Sequence, residues 1–138
     1  MPPLSLGGDR PTNLGVRDGR LAPCPASPNC VSSDARDGEH AVEPLRLAQP
    51  AERAWRAIRE AVAALPRTGF VTETEDYVHA ECASALLGFV DDLELHLRPA
   101  EGIVAVRSAS RRGYSDLGVN RKRVEDLRAA LRSRHVLR

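Results

Sequence analysis

A chain of 138 residues, 42% apolar and 28% charged, is one domain's worth, long enough for a core of its own and unlike a disordered chain. No apolar run approaches the roughly 18 residues of a spanning helix, and the opening MPPLSLGGDRPTNLGVRDGR lacks a signal-peptide core, so a soluble, cytoplasmic protein is expected. Net charge is +1, which singles out no class of partner.

Prolines and glycines crowd the first thirty residues, where hydrophobic periodicity is almost absent. Residues 1–22 therefore read as a flexible arm, and residues 23–138 as a single folded domain. HAVEPLRLA is a short strand. Pro50 then suits a first helical turn, and Trp55, Ile58, Val62 and Leu65 recur at spacings of three and four, the mark of an amphipathic helix closed by Pro66 and Gly69. From there the period becomes two. FVTETEDYVHAECAS gives one or two strands with a break near Glu75 and Asp76; Val78, Ala80 and Cys82 face one way, Tyr77, His79 and Glu81 the other. GFVDDLELHLRP is the clearest strand, with Phe89, Asp91, Leu93, Leu95 and Leu97 on one face and Asp92, Glu94, His96 and Arg98 on the other. After a turn at Pro99 to Gly102 comes IVAVRSAS. Leu117, Val124, Leu127 and Leu131 then mark a second amphipathic helix, with Ser115 or Asp116 as its N-cap.

This order predicts an α+β, two-layer fold. An antiparallel sheet of about four to five strands is covered by two amphipathic helices, with an irregular N-terminal arm. The layout loosely resembles a helix-grip ligand-binding fold. Charge is unevenly spread: Phe70 to Val106 holds one Arg against eight acids, and Arg107 to Arg138 holds ten Arg or Lys against three. An acidic sheet packed beside a basic helix accounts for this more simply than an anionic partner does.

Three constellations could carry chemistry. The first is CPASPNC, a loop from Cys24 to Cys30. Its spacing is not that of a zinc site, where cysteines sit two to four apart, so the two cysteines are a candidate redox pair, free or reversibly joined; zinc held with His40 is the lesser alternative. Cys82 falls on an apolar strand face and reads as core.

The second is DDLE. Alternation separates Asp91 from Asp92 and Glu94, so only the latter two could converge on a metal or act as acid and base. Asp91 points with leucines toward the core and needs a charged partner, for which Arg107 on the next strand is the candidate.

The third is the junction VRSASRRGYSDLGVNR. A helix N-terminus attracts anions. Arg107, Ser108, Ser110, Arg111, Ser115, Asn120 and Arg121 would line such a site, with Asp91, Asp92 and Glu94 as supporting acids. The alternative is a turn stitched by serines and capped by Asp116, with Arg111 and Arg121 tied to the acidic strands. SRRGYSDLG matches neither a Walker loop nor a dinucleotide fingerprint. Nucleic acid is the lesser alternative for Arg121, Lys122, Arg123, Arg128, Arg132 and Arg134, because no aromatic residues interleave with them.

Taken together, CPASPNCVSS, DYVHAE, GFVDDLEL and VRSASRRGYSDLGVNRKRVEDLR resemble a bacterial and plastid family catalogued as domain of unknown function 1499, over roughly residues 20 to 132. The resemblance implies that the Cys loop and the Ser/Arg junction belong to one domain; it implies no activity, substrate or cofactor. The expectation is a non-catalytic module that binds a small anionic ligand or a protein partner at the junction, with no metal, no cofactor and no membrane span. The alternatives are a hydrolase, metal-dependent through Asp92 and Glu94 or thiol-dependent through Cys24 or Cys30, and a redox-responsive protein using Cys24 and Cys30.

Overall fold

The computed structural model describes residues 8–85 and 88–138. Two short strands, β1 (Val16–Arg17) and β2 (Arg20–Leu21), form a hairpin turned by Asp18 and Gly19, both at positive φ (53° and 75°), the conformation that an Asp-Gly pair favours between twisted strands. The main sheet comprises β3 (Cys30–Ser32), β4 (Leu45–Arg46), β5 (Thr68–Glu73), β6 (Tyr77–Ala83), β7 (Val90–Arg98) and β8 (Ile103–Ser110). Its strands pair antiparallel in the order β3-β8-β7-β6-β5, with β4 also on β8, and Ser32 of β3 adds an isolated parallel bridge to Ala41. Helix α1 (Ala51–Ala63) starts after Pro50, and α2 (Val119–Ser133) closes the domain.

The α+β class and the two covering helices match the sequence reading, whereas the sheet has six strands rather than four to five. The difference is β3, three residues emerging from the Cys loop with too little alternation to announce itself; β4 falls within HAVEPLRLA, where a short strand is expected, but is only two residues long. The arm expected to be irregular contains the β1–β2 hairpin. Residues 1–7 lie outside the described part, and from residue 8 the chain runs against the sheet.

One sheet face is apolar. Val78, Ala80, Leu93, Leu95, Leu97, Val104 and Val106 meet Ala54, Trp55, Ile58 and Val62 of α1 and Val124, Leu127 and Leu131 of α2 in a single core. Each large side chain closed off there contributes about 1.5–3 kcal/mol. Leu117, grouped with this apolar stripe by its spacing, precedes α2 instead and is 94% exposed. The opposite face is polar yet also buried: His79, Asp92, Glu94 and Arg107 lie beneath the chain between Arg10 and Cys24.

Candidate functional site

Register decides which junction residues meet. In the β7–β8 ladder Asp91 stands opposite Ser110 and Glu94 opposite Arg107, so alternation sends Ser108 and Ser110 to the helix side and Arg107 and Arg111 to the polar side. The residues expected to share one anion site are therefore split between the two faces.

On the polar face, Glu94 is fully buried and accepts hydrogen bonds from the Gly15 amide (2.7 Å), the Tyr77 hydroxyl (2.6 Å) and Arg107 Nη1 (3.4 Å). Arg107 Nη2 donates to the Pro23 carbonyl (3.2 Å), while its Nε is buried without an acceptor among the described residues. Asp92 accepts from His79 Nε2 (2.7 Å) and, through both oxygens, from Arg111 (2.9 and 2.8 Å). Arg111 continues to Glu81, which Arg10 also reaches. Burial pushes the Asp92 and Glu81 carboxyls up, but the hydrogen bonds and charge of their guanidinium partners outweigh it and hold both below the usual carboxylate range. Burial, then the Glu94 carboxylate, pushes the Tyr77 hydroxyl up.

His79, Glu81 and Asp92 bring three ligand-type atoms within 4.8 Å of one another. The Arg111 guanidinium already contacts both carboxylates, supplying the positive charge that a divalent ion would bring. Asp92 and Glu94 do share a face, as alternation requires, but each serves its own arginine.

On the helix side, Asp91 pairs with Arg123 Nη2 (2.8 Å), not with Arg107. Arg123 Nη1 also donates to Asn120 Oδ1 (2.8 Å) and the Ser108 hydroxyl (3.0 Å), and that hydroxyl donates to Asn120 Oδ1 (2.7 Å). Asn120, fully buried, donates to the Ser110 hydroxyl, the Asn29 carbonyl and Asp116. The N-cap position is Gly118, not Ser115 or Asp116 as expected; Asp116, two residues earlier, nevertheless holds the helix start by accepting from the amides of Gly118 (2.8 Å) and Asn120 (3.0 Å). Burial raises its pKa, but these bonds, the Asn120 amide foremost, bring it below the usual range. Ser115 accepts from the Leu117 amide, and Arg121 donates to the Glu39 and Ala41 carbonyls rather than to an acid. The junction is thus the stitched and capped turn, with Arg111 tied to the acidic strands and Arg121 tied to a loop.

Cys24 and Cys30 form a disulfide, with Cα atoms 5.7 Å apart. The loop they close is clamped by His40, whose Nδ1 meets Asp37 (2.6 Å) and whose Nε2 meets the Ser27 carbonyl (2.9 Å), leaving no ring nitrogen for zinc. Cys82 is a buried free thiol, as its strand position implies.

The open feature lies beside the junction. A groove of about 390 Å³ runs between Ala83, Ser84, Phe89 and Val90 on one side and the segment Ser110 to Val119 on the other. The Asp91–Arg123 pair lines it, and so does Arg67, which donates to the Ala83 carbonyl and makes no ion pair among the described residues. Phe89 (43%), Leu117 (94%) and Val119 (47%) line the groove as exposed apolar side chains, and Tyr114 (71%) lies in the same loop. Leu117 and Arg67 both hold positive φ (55° and 49°), an uncommon state for residues with a Cβ. Sequence periodicity missed Phe89 and Leu117 because it filed both with the core; the signal available was the Gly113–Gly118 bracket, which marks that stretch as a loop.

A family model described as protein of unknown function (DUF1499) matches residues 20–131. The chain belongs to this family. The match takes in the Cys loop, the acidic strands, the junction and most of α2, so both faces of the β7–β8 pair lie within the family domain. No curated protein matches the chain. Among the described residues no helix is long and apolar enough to cross a membrane.

Proposed function

We propose that this domain is a non-catalytic binding module whose ligand is an amphipathic anion seated in the groove beside the Ser/Arg junction. The observation that carries the reading is the lining: Phe89, Leu117 and Val119 exposed around a concave surface that holds the Asp91–Arg123 pair. Apolar side chains gathered round a few convergent polar groups are the ordinary make-up of a small-molecule site. Of its charged side chains, Arg67 is exposed and, among the described residues, unmatched by a carboxylate, which favours a carboxylate or phosphate head over a cationic one. The capping carboxylate of Asp116 faces its own helix amides, so the head group's place is at Arg67 and Arg123 rather than at the helix end.

A hydrolase would draw on Asp92 and Glu94, but their oxygens accept from His79, Arg111, Gly15, Tyr77 and Arg107. The disulfide weighs against the cytoplasmic address, because cytosolic thiol pools keep such pairs reduced.

Thermal unfolding with sodium dodecanoate tests the reading. The midpoint rises with dodecanoate and is unmoved by dodecyltrimethylammonium at the same concentrations; Leu117→Ser unfolds at the wild-type midpoint without ligand and loses the rise. No rise for the wild-type protein, or an equal rise for Leu117→Ser, contradicts it.

A further inference from the structure

The disulfide joins unequal partners. Cys30 lies in β3 and is fully buried, whereas Cys24 is half-buried and lines two surface cavities, of about 640 and 330 Å³. The smaller cavity is bounded by Pro11, Asn13, Pro23 and Pro25 of the N-terminal segment and by Asp92, Arg107 and Arg111 of the sheet. Both guanidinium groups are paired with carboxylates, Arg111 with Asp92 and Glu81 and Arg107 with Glu94, but the buried Arg107 Nε lacks an acceptor among the described residues.

Cys24 also ends the segment that covers the polar face. Between residues 8 and 22, Leu21 is the one buried side chain. The other ties recorded there are polar: the Gly15 amide on Glu94, the Leu21 amide on Asp34 and Arg10 on Glu81, with the Pro23 carbonyl on Arg107 just beyond. A segment with so little apolar burial opens locally at low cost unless a covalent link holds it. The disulfide supplies that link, from the cover to the β3 edge of the sheet.

We propose that Cys24 is a thiol-exchange site for a small anionic thiol of the glutathione class, and that opening its disulfide releases the N-terminal cover from the polar face. The external thiolate attacks Cys24 Sγ, the accessible sulfur; a bond forms between the two sulfurs, the Cys24–Cys30 bond breaks, and its electron pair leaves on Cys30 Sγ, which takes a proton. A second thiolate attacks the external sulfur of the mixed disulfide and frees Cys24 as a thiolate. Two external thiols are oxidised to one external disulfide, and the protein disulfide is reduced to two thiols. In this proposal the carboxylates of the thiol dock on the Arg107 and Arg111 guanidinium groups that line the cavity, an anchor that a neutral thiol lacks.

The test uses the full chain. Reduced protein treated with limiting glutathione disulfide carries its first adduct on Cys24 by peptide mapping, and Cys30→Ser traps the same adduct, whereas Cys24→Ser does not. The oxidised protein is reduced faster by glutathione than by 2-mercaptoethanol at equal thiolate concentration. Reduction speeds tryptic cleavage after Arg17 and Arg20 by about tenfold, while amides of β6 to β8 keep their protection against hydrogen exchange. A first adduct on Cys30, equal rates for the two thiols, or unchanged cleavage at Arg17 and Arg20 overturns the proposal. The mapping on wild-type protein decides the attack site even if Cys30→Ser fails to fold.

Discussion

Asp91 reaches across the sheet–helix boundary to Arg123 at 2.8 Å, and this pair links the start of β7 to the first turn of α2. The same guanidinium holds Ser108 and Asn120, so one side chain fixes the helix on the sheet and lines the groove. Arg123→Met should lower stability by about 2 kcal/mol, less than the loss of a fully buried pair because both groups retain some exposure. Adding Asp91→Asn should recover part of that loss, giving a coupling of about 1 kcal/mol in a chemical-denaturation double-mutant cycle. Additive losses would mean that the two groups do not interact.

Arg111 joins two strands through their carboxylates. Its side chain is nearly buried and spans Asp92 and Glu81, so Arg111→Ala leaves two carboxylates facing each other beside His79. A loss of about 3 kcal/mol in urea unfolding is expected, and a wild-type midpoint would contradict it.

Acid should unfold the protein through the carboxylates whose pKa is depressed in the folded state, above all the partly buried Asp92, Glu81, Asp34 and Asp116, with the exposed Asp37 also lowered by His40. A group whose folded pKa lies below its unfolded value contributes stability that is present above the unfolded value, about 4, and is lost as pH falls through the folded one. The carboxylate contribution should thus be flat from neutral pH to about 5 and drop below about 4. Asp92→Asn should be less stable at pH 7 and show a shallower acid limb. Parallel acid limbs for the two proteins would show that Asp92 does not titrate with folding.

His40 has the opposite sign. Its pKa is raised, chiefly by the Ser27 carbonyl and then by Asp37, because the protonated ring donates to both. Its contribution is fully present below the ordinary histidine value of about 6.5 and lost as pH rises through the raised value. An NMR titration should place the His40 midpoint above that of a model histidine, and His40→Gln should remove the decline in stability above neutrality. A midpoint at or below the model value would contradict the clamp.

Asp116→Ala should cost about 1 kcal/mol, the usual worth of a carboxylate that accepts from helix-terminal amides, and fray the start of α2, where Val119 lines the groove. Hydrogen exchange at Asn120 and Arg121 measures this; unchanged protection would assign the cap elsewhere.

What the sequence made legible follows from period. The α1 face of Trp55, Ile58 and Val62, the alternation through Leu93, Leu95 and Leu97, and the same-face placement of Asp92 and Glu94 are local properties that a single strand or helix determines. Partner choice is not local. Asp91 and Arg107 lie on neighbouring strands, yet Arg107 faces Glu94 because the ladder pairs those two positions, and Asp91 finds a helix residue 32 positions away. The docking of the arm on the polar face escaped notice for a related reason. Gly15 and Pro23 act through their backbone groups on Glu94 and Arg107, and a backbone contact leaves no pattern in side-chain types.

The measurement closest to the central claim is an NMR titration of the amide resonances with sodium dodecanoate. Binding in the groove predicts saturable shifts confined to Arg67, Ala83, Ser84, Phe89 to Asp91, Ser110 to Val119 and Arg123. Shifts centred on Gly15, Leu21 and Arg107, or none at all, would contradict it.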